Sequence, residues 1–453
     1  MSKLPILQKN AYLSLVVKDN SIWAHLAYTD HNAEREYILS DFTDLNPLKQ
    51  RLDDEFFTKK FWYEYFDNLE KVFNWDIVDR DTYRLQMYKE FKDEGIGLTG
   101  IRVLVDENQK YFNTIFASLR EFSKDIAVRV IDDSYIYNLL EGLLGRMEYE
   151  DILYMDMDLT DFKIYRARKV VENKKEKNII TKSKISWGNE YGVIDSVRDA
   201  RFRAFLASDF ASKDILNYWS NFVLNKIFFT EDPNILDILR SYTTIQNYSL
   251  YQDNINKLSG FGIGSQRNAM IISGHIPTVL GKQKTLMSVI DGLEIMGEID
   301  CIWDLEKKIL SYGKSYIFGT NSTDIILTRK EVFAPATKVL IPEVKNVKNQ
   351  NKVIMSGYTE SLSMEKNEFY ALSPEFTFVQ LPKHQDKLVV EVEFKKDIVI
   401  PNGVKSKVGF VSIPGKSRYD SILVDGRPRP IVYGPDVYTN RSKLSVWLND
   451  FKA

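Results

Sequence analysis

The chain has 453 residues and is 44% hydrophobic, which is enough for two to four domains with sizeable cores. Its 61 Lys and Arg residues balance 63 Asp and Glu, and a formal net charge of −2 argues against a dedicated nucleic-acid binder, which carries a basic excess. A single cysteine, Cys301, excludes an intrachain disulfide framework and fits a reducing, cytoplasmic compartment. The sequence contains no stretch of 18 apolar residues, so we expect no transmembrane helix.

The first two-thirds of the chain alternates short apolar segments with helical patterns. Residues 11–26 predict two strands joined by a turn at 18–21, and aromatic residues at helical spacing predict an inserted helical subdomain at about 42–94. The alternation continues with strands at 101–105, 126–131, 152–157 and 162–168 and with helices at about 108–123 and 134–144. Later elements are predicted as an exposed hairpin tip at 169–178, a strand at 178–187, helices over 195–257, a buried strand at 269–273 and a helix near 286–293.

From about residue 315 the pattern changes to short alternating segments punctuated by Pro and Gly, which predicts an all-β region. Its predicted strands lie at 338–341, 352–355, 376–380, 388–394 and 398–400. At the end of the sequence Leu444, Trp447, Leu448 and Phe451 fall at i, i+3, i+4 and i+7, which is typical of a short amphipathic helix. Such a helix docks on the chain's own body or makes a peripheral membrane or partner contact.

Several common catalytic patterns are missing from the sequence. It contains no G-x-x-x-x-G-K-[ST], no G-x-G-x-x-G and no G-x-S-x-G. The alternate glycines Gly260, Gly262 and Gly264 indicate a flexible loop, with a ligand contact as the alternative.

The segment 152–162 carries the most chemical information. An apolar strand ends in Asp156, and a turn containing Asp158 and Thr160 follows it. A β-hairpin of this kind can present a carboxylate to Mg²⁺-bound water, and backbone N–H groups with a hydroxyl to a phosphate. Acids in a β-turn also serve simply as turn formers, which is the alternative interpretation.

The order of strands and helices leading into this hairpin resembles the actin-like ATPase superfamily, which includes actin, heat-shock chaperones, FtsA and PilM. The second phosphate loop of that superfamily reads roughly D-x-G-x-x-T, so the resemblance implies that Asp156 holds Mg²⁺ and that Thr160 contacts phosphate. Asp158 stands where the family has Gly, and a carboxylate there would repel a triphosphate and restrict its approach.

The first phosphate loop of the superfamily, D-x-G-[ST], falls at the turn between the first two predicted strands. Val16 takes the place of the Asp and Lys18 that of the Gly, so Ser21 remains the candidate phosphate contact.

Two further family motifs are matched in part. The adenosine motif resembles 271–275, where Ser273 and Gly274 take the place of two glycines. The residue that positions the attacking water falls at Asp132 or Asp133, which are equally plausible as caps of the helix that follows.

Within the superfamily the closest resemblance is to the glutamate-mutase accessory protein family GlmL, also called MutL. Two stretches carry it, at 290–313 and at 421–430. The second stretch includes Gly426-Arg427-Pro428-Arg429-Pro430, which indicates a rigid solvated loop whose guanidinium groups pack on the body, with a phosphate or partner contact as the alternative.

Together these observations predict an α/β chain in which residues 1–314 form a two-lobed, actin-like ATPase core of ribonuclease H-like type and residues 315–453 form an all-β domain. The resemblance implies ATP and Mg²⁺ as cofactors. Asp133 and Asp156 are the predicted catalytic residues, and Asp156 is also the predicted metal ligand. The predicted cofactor contacts are Ser21, Asp158, Thr160, Ser273 and Gly274.

The function predicted from this resemblance is an actin-like nucleotide-binding scaffold or assembly protein with weak or absent ATP hydrolysis. One alternative is a pseudo-ATPase that acts only as a protein–protein interaction module, and a second is a small-molecule kinase of the same fold. Protein partners are expected, with self-assembly into filaments as one form of partnership.

Overall fold

The structure is a computed structural model, and it divides the chain into two compact units. The first unit comprises Met1–Arg146 and Glu306–Phe333, and the second comprises Met147–Leu305 and Ala334–Ala453. The residues that the structure describes are 9–18, 21–29, 36–45, 59–73, 78–79, 84–85, 96–107, 112–123, 126–147, 149–159, 161–172, 175–186, 200–224, 232–263, 267–318, 332–333, 335–344, 352–361, 366–381, 388–395, 398, 400–401, 407–412, 419–429, 431 and 436–449.

The first unit is built on a five-stranded sheet of order β3-β2-β1-β6-β7. Strands β1 to β3 are antiparallel, whereas β1, β6 and β7 run parallel. The strands of the sheet are β1 Lys9–Lys18, β2 Ser21–Thr29, β3 Glu36–Asp44, β6 Ile96–Asp106 and β7 Ala127–Ile131. The other elements are α1 Lys59–Val72, a small hairpin of β4 Val78–Asp79 and β5 Arg84–Leu85, α2 Phe112–Phe122 and α3 Asp133–Arg146.

Helices α1 and α2 share a core with one face of this sheet. The alternate residues Leu13, Leu15 and Val17 of β1 are fully buried and belong to the same apolar cluster as Trp62 and Phe66 of α1. Since side chains alternate between the two faces of a strand, these three residues present one continuous apolar stripe to the helices. The helical spacing of the aromatic residues in α1 therefore arises from their packing in this core.

The second unit is built on an eight-stranded sheet of order β10-β9-β8-β11-β12-β13-β19-β16. Its first five strands repeat the pattern of the first sheet, because β8 to β10 are antiparallel while β8, β11 and β12 are parallel. These five strands are β8 Asp151–Met157, β9 Asp161–Glu172, β10 Lys175–Ser186, β11 Asn268–Ser273 and β12 Gly297–Trp303. The strands that extend the sheet are β13 Ala336–Ile341, β19 Tyr419–Asp425 and β16 Phe376–Gln380.

A separate four-stranded antiparallel sheet of order β15-β14-β17-β18 belongs to the same unit. Its strands are β14 Lys352–Ser361, β15 Lys366–Ser373, β17 Leu388–Phe394 and β18 Lys407–Ser412. The helices that follow β10 in sequence are α4 Ala200–Ala204, α5 Ser212–Leu224, α6 Pro233–Asp253, α7 Ile255–Leu258, α8 His275–Leu293, α9 Lys308–Phe318 and α10 Val437–Asn449. Helix α9 falls within the first unit and the others within the second.

Helix α6 begins where its capping chemistry predicts. The Asp232 side chain accepts a hydrogen bond from the backbone N–H of Asn234 at 2.8 Å, and Pro233 occupies the first turn, where its missing N–H costs nothing. Tyr242 of α6 and Trp219 of α5 pack into the same core as Phe162 of β9. This core lies on one face of the second sheet and holds α6 and α8 against it.

The duplicated arrangement of three antiparallel strands followed by two parallel ones is the actin-like, ribonuclease H-like α/β fold that the sequence predicts. The hairpin tip predicted at 169–178 is shorter in the structure, because β9 and β10 remain paired from Ser186 with Asp161 as far as Lys175 with Glu172. None of the described helices is both long and apolar enough to cross a membrane.

The grouping of the C-terminal part differs from the boundary predicted at residue 314. The predicted all-β region is rich in strands, yet β13, β19 and β16 continue the sheet of the second unit instead of forming a domain of their own. The change of sequence character near Gly313 also falls inside helix α9. Local alternation predicts a strand but carries no information about which neighbour that strand pairs with, and this explains the difference.

Candidate functional site

In each unit the polar residues of interest gather at the edge where the parallel strands end. In the first unit these are the carboxyl ends of β1, β6 and β7, and in the second those of β8, β11 and β12. Open α/β sheets bind ligands outside the carboxyl ends of their strands, where the strand order changes direction. The two edges are therefore the candidate ligand sites, and each is described by itself.

The turn between β8 and β9 is a tight connection in the second unit. The backbone N–H of Asp158 donates to the carbonyl of Asp161 at 3.0 Å, which closes the turn. Tyr242 of α6 donates its hydroxyl hydrogen to the carbonyl of Leu159 at 2.8 Å and fixes the turn on the helix. The turn is therefore held in one position by the second unit's own core.

Asp158 makes the most informative contact of this turn. Its Oδ1 accepts a hydrogen bond from the backbone N–H of His275, the first residue of α8, at 2.7 Å. The N-terminus of a helix offers unpaired N–H groups and a partial positive charge, which favour an anion. Asp158 supplies that anion from within the chain.

Gly274 brings β11 close to the same turn. Its φ of 107° lies in a region that residues with a Cβ rarely adopt, and a Cβ added there would lie 2.3 Å from the carbonyl oxygen of Met157. Only glycine allows this close approach of the two backbones. The adenosine-motif position and the phosphate-loop position predicted from sequence are thus brought together.

Asp156 lies on β8 beside two residues of the neighbouring strands. It is in register with Lys163 of β9 and with Ser273 of β11, so the three side chains share one face of the sheet. All three are buried. Lys163 Nζ pairs with Asp161 at 2.8 Å, and the Ser273 hydroxyl donates to the carbonyl of Asp304 at 3.3 Å.

In the first unit, the corresponding turn between β1 and β2 carries a cation. Lys18 is buried at the end of β1, and its Nζ lies 3.6 Å from the carboxylate of Asp106, which is buried at the end of β6. The hydroxyl of Ser21 donates to the carbonyl of Lys18 at 2.6 Å. Lys18 was noted in the sequence as a substitution for Gly, whereas its partner was missed, although an acid directly after an apolar strand was a signal for it.

The structure distinguishes the two aspartates at the start of α3, whose roles the sequence left open. Asp132 caps the helix, since its Oδ1 accepts from the backbone N–H of Tyr135 at 2.7 Å. Asp133 is the first residue of the helix and is half-buried. Asp133 and Ser21 therefore lie at the same edge of the first sheet, where Ser21 begins β2 and Asp133 follows β7, with β1 and β6 between those two strands.

Two predicted features are not located by these contacts. Thr160 and Gly264 lie outside the described residues. Across the part of the chain that the structure describes, no group of three or more His, Cys, Asp or Glu side chains is arranged to hold a metal ion.

An ATP–Mg²⁺ complex fits these residues poorly. In the second unit, the Asp158 carboxylate lies on the helix end that a phosphate would use, and the ammonium of Lys163 shares the sheet face of Asp156, the expected Mg²⁺ ligand. In the first unit, the ion pair of Lys18 and Asp106 occupies the position of the family's glycine. A negative charge close to a triphosphate repels it, and a neighbouring ammonium competes with a metal for a carboxylate.

A buried charge cluster lies elsewhere in the second unit, where sequence reasoning predicted a solvated loop. Arg427 follows β19, and its guanidinium pairs with Asp291 of α8 and with Asp425 of β19 at 2.6 and 2.8 Å. All three side chains have 0% exposure. The guanidinium packs on the body as predicted, but the prediction of a solvated loop was wrong for this arginine, because the buried acids that accept its charge lie 136 and 2 residues away and only one of them is visible locally.

Two aromatic rings complete the surroundings of Arg427. Its guanidinium carbon lies 4.9 Å from the ring centroid of Phe376 in β16 and 4.8 Å from that of Trp447 in α10. A guanidinium held between ring faces gains from cation–π attraction. Trp447 and Leu444 are buried in the core of the second unit, so helix α10 docks on the chain's own body. Phe451 lies outside the described residues.

No protein-family model and no curated protein matches the sequence. Matching solved structures include the Aquifex aeolicus PPX-GPPA enzyme, with 9% identity, 58% of this chain and 68% of that chain covered, and a TM-score of 0.27. A non-polymerisable pCBH ParM mutant matches with 9% identity over 67% and 96% of the two chains, at 0.30. Schistosoma mansoni hexokinase complexed with glucose matches with 9% identity over 68% and 85%, at 0.33. TM-scores this low carry no argument about activity.

Proposed function

We propose that this chain is an actin-like scaffold or assembly protein that does not hydrolyse ATP, because its own side chains fill the positions that bind phosphate and metal in nucleotide-binding members of the fold. The observation that carries the proposal is the hydrogen bond from the His275 N–H to Asp158 Oδ1 at 2.7 Å. A helix end that already holds a carboxylate has lost its attraction for a phosphate.

The other phosphate-loop position supports the same proposal. Lys18 and Asp106 form a buried ion pair at the turn where nucleotide-binding members have glycine. Breaking such a pair to admit a ligand would leave a buried charge without its partner, which is costly. The function then resides in surfaces of the fold, and the partner class is another protein, including a second copy of this chain.

A nucleotide-binding scaffold is the second candidate, because two features of a nucleotide site are retained. Asp156 ends β8 next to Ser273 of β11, and Gly274 keeps the close backbone approach to Met157. In this candidate Asp156 would be the metal ligand, and nucleotide would have to displace Asp158 from α8. The kinase alternative has the same requirement.

Calorimetric titration of the full chain with ATP and Mg²⁺ tests the proposal, alongside the variants Asp156→Ala and Asp158→Gly. We expect no binding to the unmodified protein up to millimolar ATP. Asp158→Gly removes the carboxylate from the α8 N-terminus, so it is the variant expected to gain measurable affinity. A thermal unfolding curve for each variant shows that it is folded.

Micromolar ATP binding by the unmodified protein that is lost in Asp156→Ala would overturn the proposal in favour of the nucleotide-dependent scaffold. Phosphate transfer from bound ATP to a small molecule would identify the kinase. Sedimentation velocity with and without ATP tests the assembly part, since a scaffold of the proposed kind gives the same distribution of species in both conditions.

We further propose kinship with the GlmL family within this fold. The proposal rests on the two sequence stretches that resemble that family, at 290–313 and 421–430. Asp291 and Arg427, one from each stretch, form a buried ion pair at 2.6 Å. A direct contact between the two stretches is what a shared structural motif would produce.

A further inference from the structure

A cavity of about 480 Å³ in the first unit lies beside the N-terminal half of α3 and is lined mainly by polar groups. Its described lining includes Arg102, Arg129, Asp132, Ser134, Tyr135 and Asn138. This volume is within the range of small-molecule sites. Among the described residues, neither Asp133, the predicted water-positioning residue, nor Ser21 is part of this lining.

Two arginines line this cavity. Arg102 of β6 is in register with Ala127 of β7, and Arg129 lies two residues further along β7, so both side chains emerge on the same face of the sheet. Like charges on neighbouring strands repel one another, and an anion bound near both would relieve that repulsion.

Arg129 is available for a ligand. Its side chain is exposed, and the described part of the chain offers it no hydrogen bond, ion pair or ring contact. An unpaired guanidinium lining a concave surface presents a fork of N–H donors with no internal acceptor.

Arg102 is held in place and retains one unused donor. Its guanidinium donates to the carbonyl of Ser311 in α9 and lies 5.7 Å from the ring centroid of Tyr12. Its Nε is buried and has no hydrogen-bond partner among the described residues. Because this N–H is closed off from solvent, Arg102 contributes positive charge to the cavity and not a hydrogen-bond donor.

The remaining polar groups add one donor and one acid. The hydroxyl of Ser134 has no partner among the described residues and is exposed, so it is free to donate. Among the described lining residues the one carboxylate belongs to Asp132, and its Oδ1 is engaged by the N–H of Tyr135 in capping α3. These described residues carry a net charge of about +1 from two guanidiniums and one carboxylate.

We propose that this cavity binds the phosphoryl group of a small phosphate monoester. The Arg129 guanidinium and the Ser134 hydroxyl supply donors and Arg102 adds positive charge, while a phosphoryl group offers three terminal oxygens and a dianionic charge at neutral pH. A carboxylate offers only two oxygens and a single charge. The cavity volume exceeds that of a phosphoryl group, which leaves room for the organic part of the ester.

The test is calorimetric titration of the full chain with glycerol 3-phosphate and with inorganic phosphate, against acetate at the same ionic strength. We expect glycerol 3-phosphate to bind, and Arg129→Gln to weaken binding at least tenfold. Because Arg129 has no partner in the described part of the chain, Arg129→Gln is expected to fold as the unmodified protein does. Arg120→Gln is the matched control, since Arg120 is an exposed arginine of α2 in the same unit and does not line the cavity. Its affinity should be unchanged.

Asp158→Gly shows whether this site is distinct from the predicted nucleotide positions. That variant keeps Arg129, so its affinity for glycerol 3-phosphate should equal that of the unmodified protein. The proposal is overturned if phosphate and acetate bind equally, if the unmodified protein binds neither phosphate compound, or if Arg129→Gln binds as tightly as Arg120→Gln. Each result is independent of whether ATP binds.

Discussion

The two units contain the same five-stranded arrangement, but they differ at the turn after the first strand and at the end of the sheet that follows the last parallel strand. At the turn after its first strand, the first unit carries a cation, Lys18, paired with Asp106, whereas the second unit carries acids, of which Asp158 caps α8. The first sheet ends at β7, whereas the second continues through β12 into strands from the C-terminal part. A shared strand order therefore does not require shared chemistry at the strand ends.

This difference shows two ways of satisfying a charge at the end of a sheet. The first unit neutralises its cation with an acid from a neighbouring strand, and the second satisfies a helix end with an acid from its own turn. Four predictions test this difference, beginning with the largest expected loss of stability.

Replacing Arg427 should have the largest effect on stability. Arg427 follows β19, one of the strands by which the second sheet is longer than the first. Arg427→Met would remove the cation that Asp291 and Asp425 share and leave Asp425 with Arg429 alone, and we expect a loss of about 3 to 5 kcal/mol in the free energy of unfolding. Burial by itself raises the pKa of Asp425, but the charges of Arg427 and Arg429 outweigh it and hold that pKa below its usual value. Urea denaturation followed by tryptophan fluorescence measures the loss.

Arg441→Met is the matched control for this change. Arg441 lies on α10 over the ring of Tyr438 and pairs with Asp209 at 2.6 Å, but the carboxylate of Asp209 is 73% exposed. An ion pair with one exposed partner contributes little, so we expect a loss below about 1 kcal/mol. Equal losses in the two variants would show that burial of the Arg427 cluster does not matter.

Lys18→Met tests the first turn and should cost about 3 kcal/mol, because it removes the cation that lies 3.6 Å from the buried carboxylate of Asp106. Lys60→Met is the control, since Lys60 and Glu64 lie 3.7 Å apart, nearly the same distance, but are 83% and 64% exposed. The control should lose less than about 1 kcal/mol. Thermal and chemical unfolding of both variants at low salt measure the two losses of stability. A loss for Lys18→Met as small as that of Lys60→Met would contradict the prediction that the buried pair contributes more.

His25 makes the first unit sensitive to acid. Burial, together with the charge of Lys308, lowers its pKa from 6.5 to about 3, although the carbonyl of Glu306 opposes the shift. Because the folded-state pKa is the lower one, the unfolded chain binds more protons between these values, so this contribution is complete above pH 6.5 and is lost as the pH falls.

The expected loss from His25 between pH 7 and pH 5 is about 2 kcal/mol. In His25→Leu this part of the pH dependence should disappear, whatever the variant's stability at pH 7. Unfolding free energies measured at the two pH values for both proteins give the difference directly, and an unchanged slope in His25→Leu would refute the assignment.

Asp158→Ala tests the second turn and should cost about 1 kcal/mol, the usual value of a helix cap. Asp158→Asn retains a side-chain oxygen that can accept from the His275 N–H, so it should recover most of that loss. The midpoints of chemical unfolding of the two variants measure this difference. Identical losses for Asp158→Ala and Asp158→Asn would mean that the side-chain oxygen does not stabilise α8. This cost is smaller than that of Lys18→Met because a cap is exchanged for water more easily than a buried charge.

Parts of the candidate site were predictable and parts were not. Local chemistry is enough to predict the turn acids, the glycine after β11 and an aspartate cap on α3. Asp132 is that cap, which was one of the two interpretations that the sequence allowed. The pairing of Asp158 with α8 joins residues 117 apart. No local pattern reports which helix end lies above a given turn, so this partner could not be predicted.

The sequence by itself determined the kinds of element and their order, because side-chain periodicity and turn chemistry act over a few residues. It thereby determined the strand–turn–strand hairpins, the amphipathic helices α1 and α10 and the α/β class. The tertiary structure alone decided the pairing of β12 with β13, the burial of Arg427 and the proximity of Arg102 to Arg129. These features depend on contacts between residues far apart in sequence, and such contacts form only when the whole sheet and its covering helices are assembled.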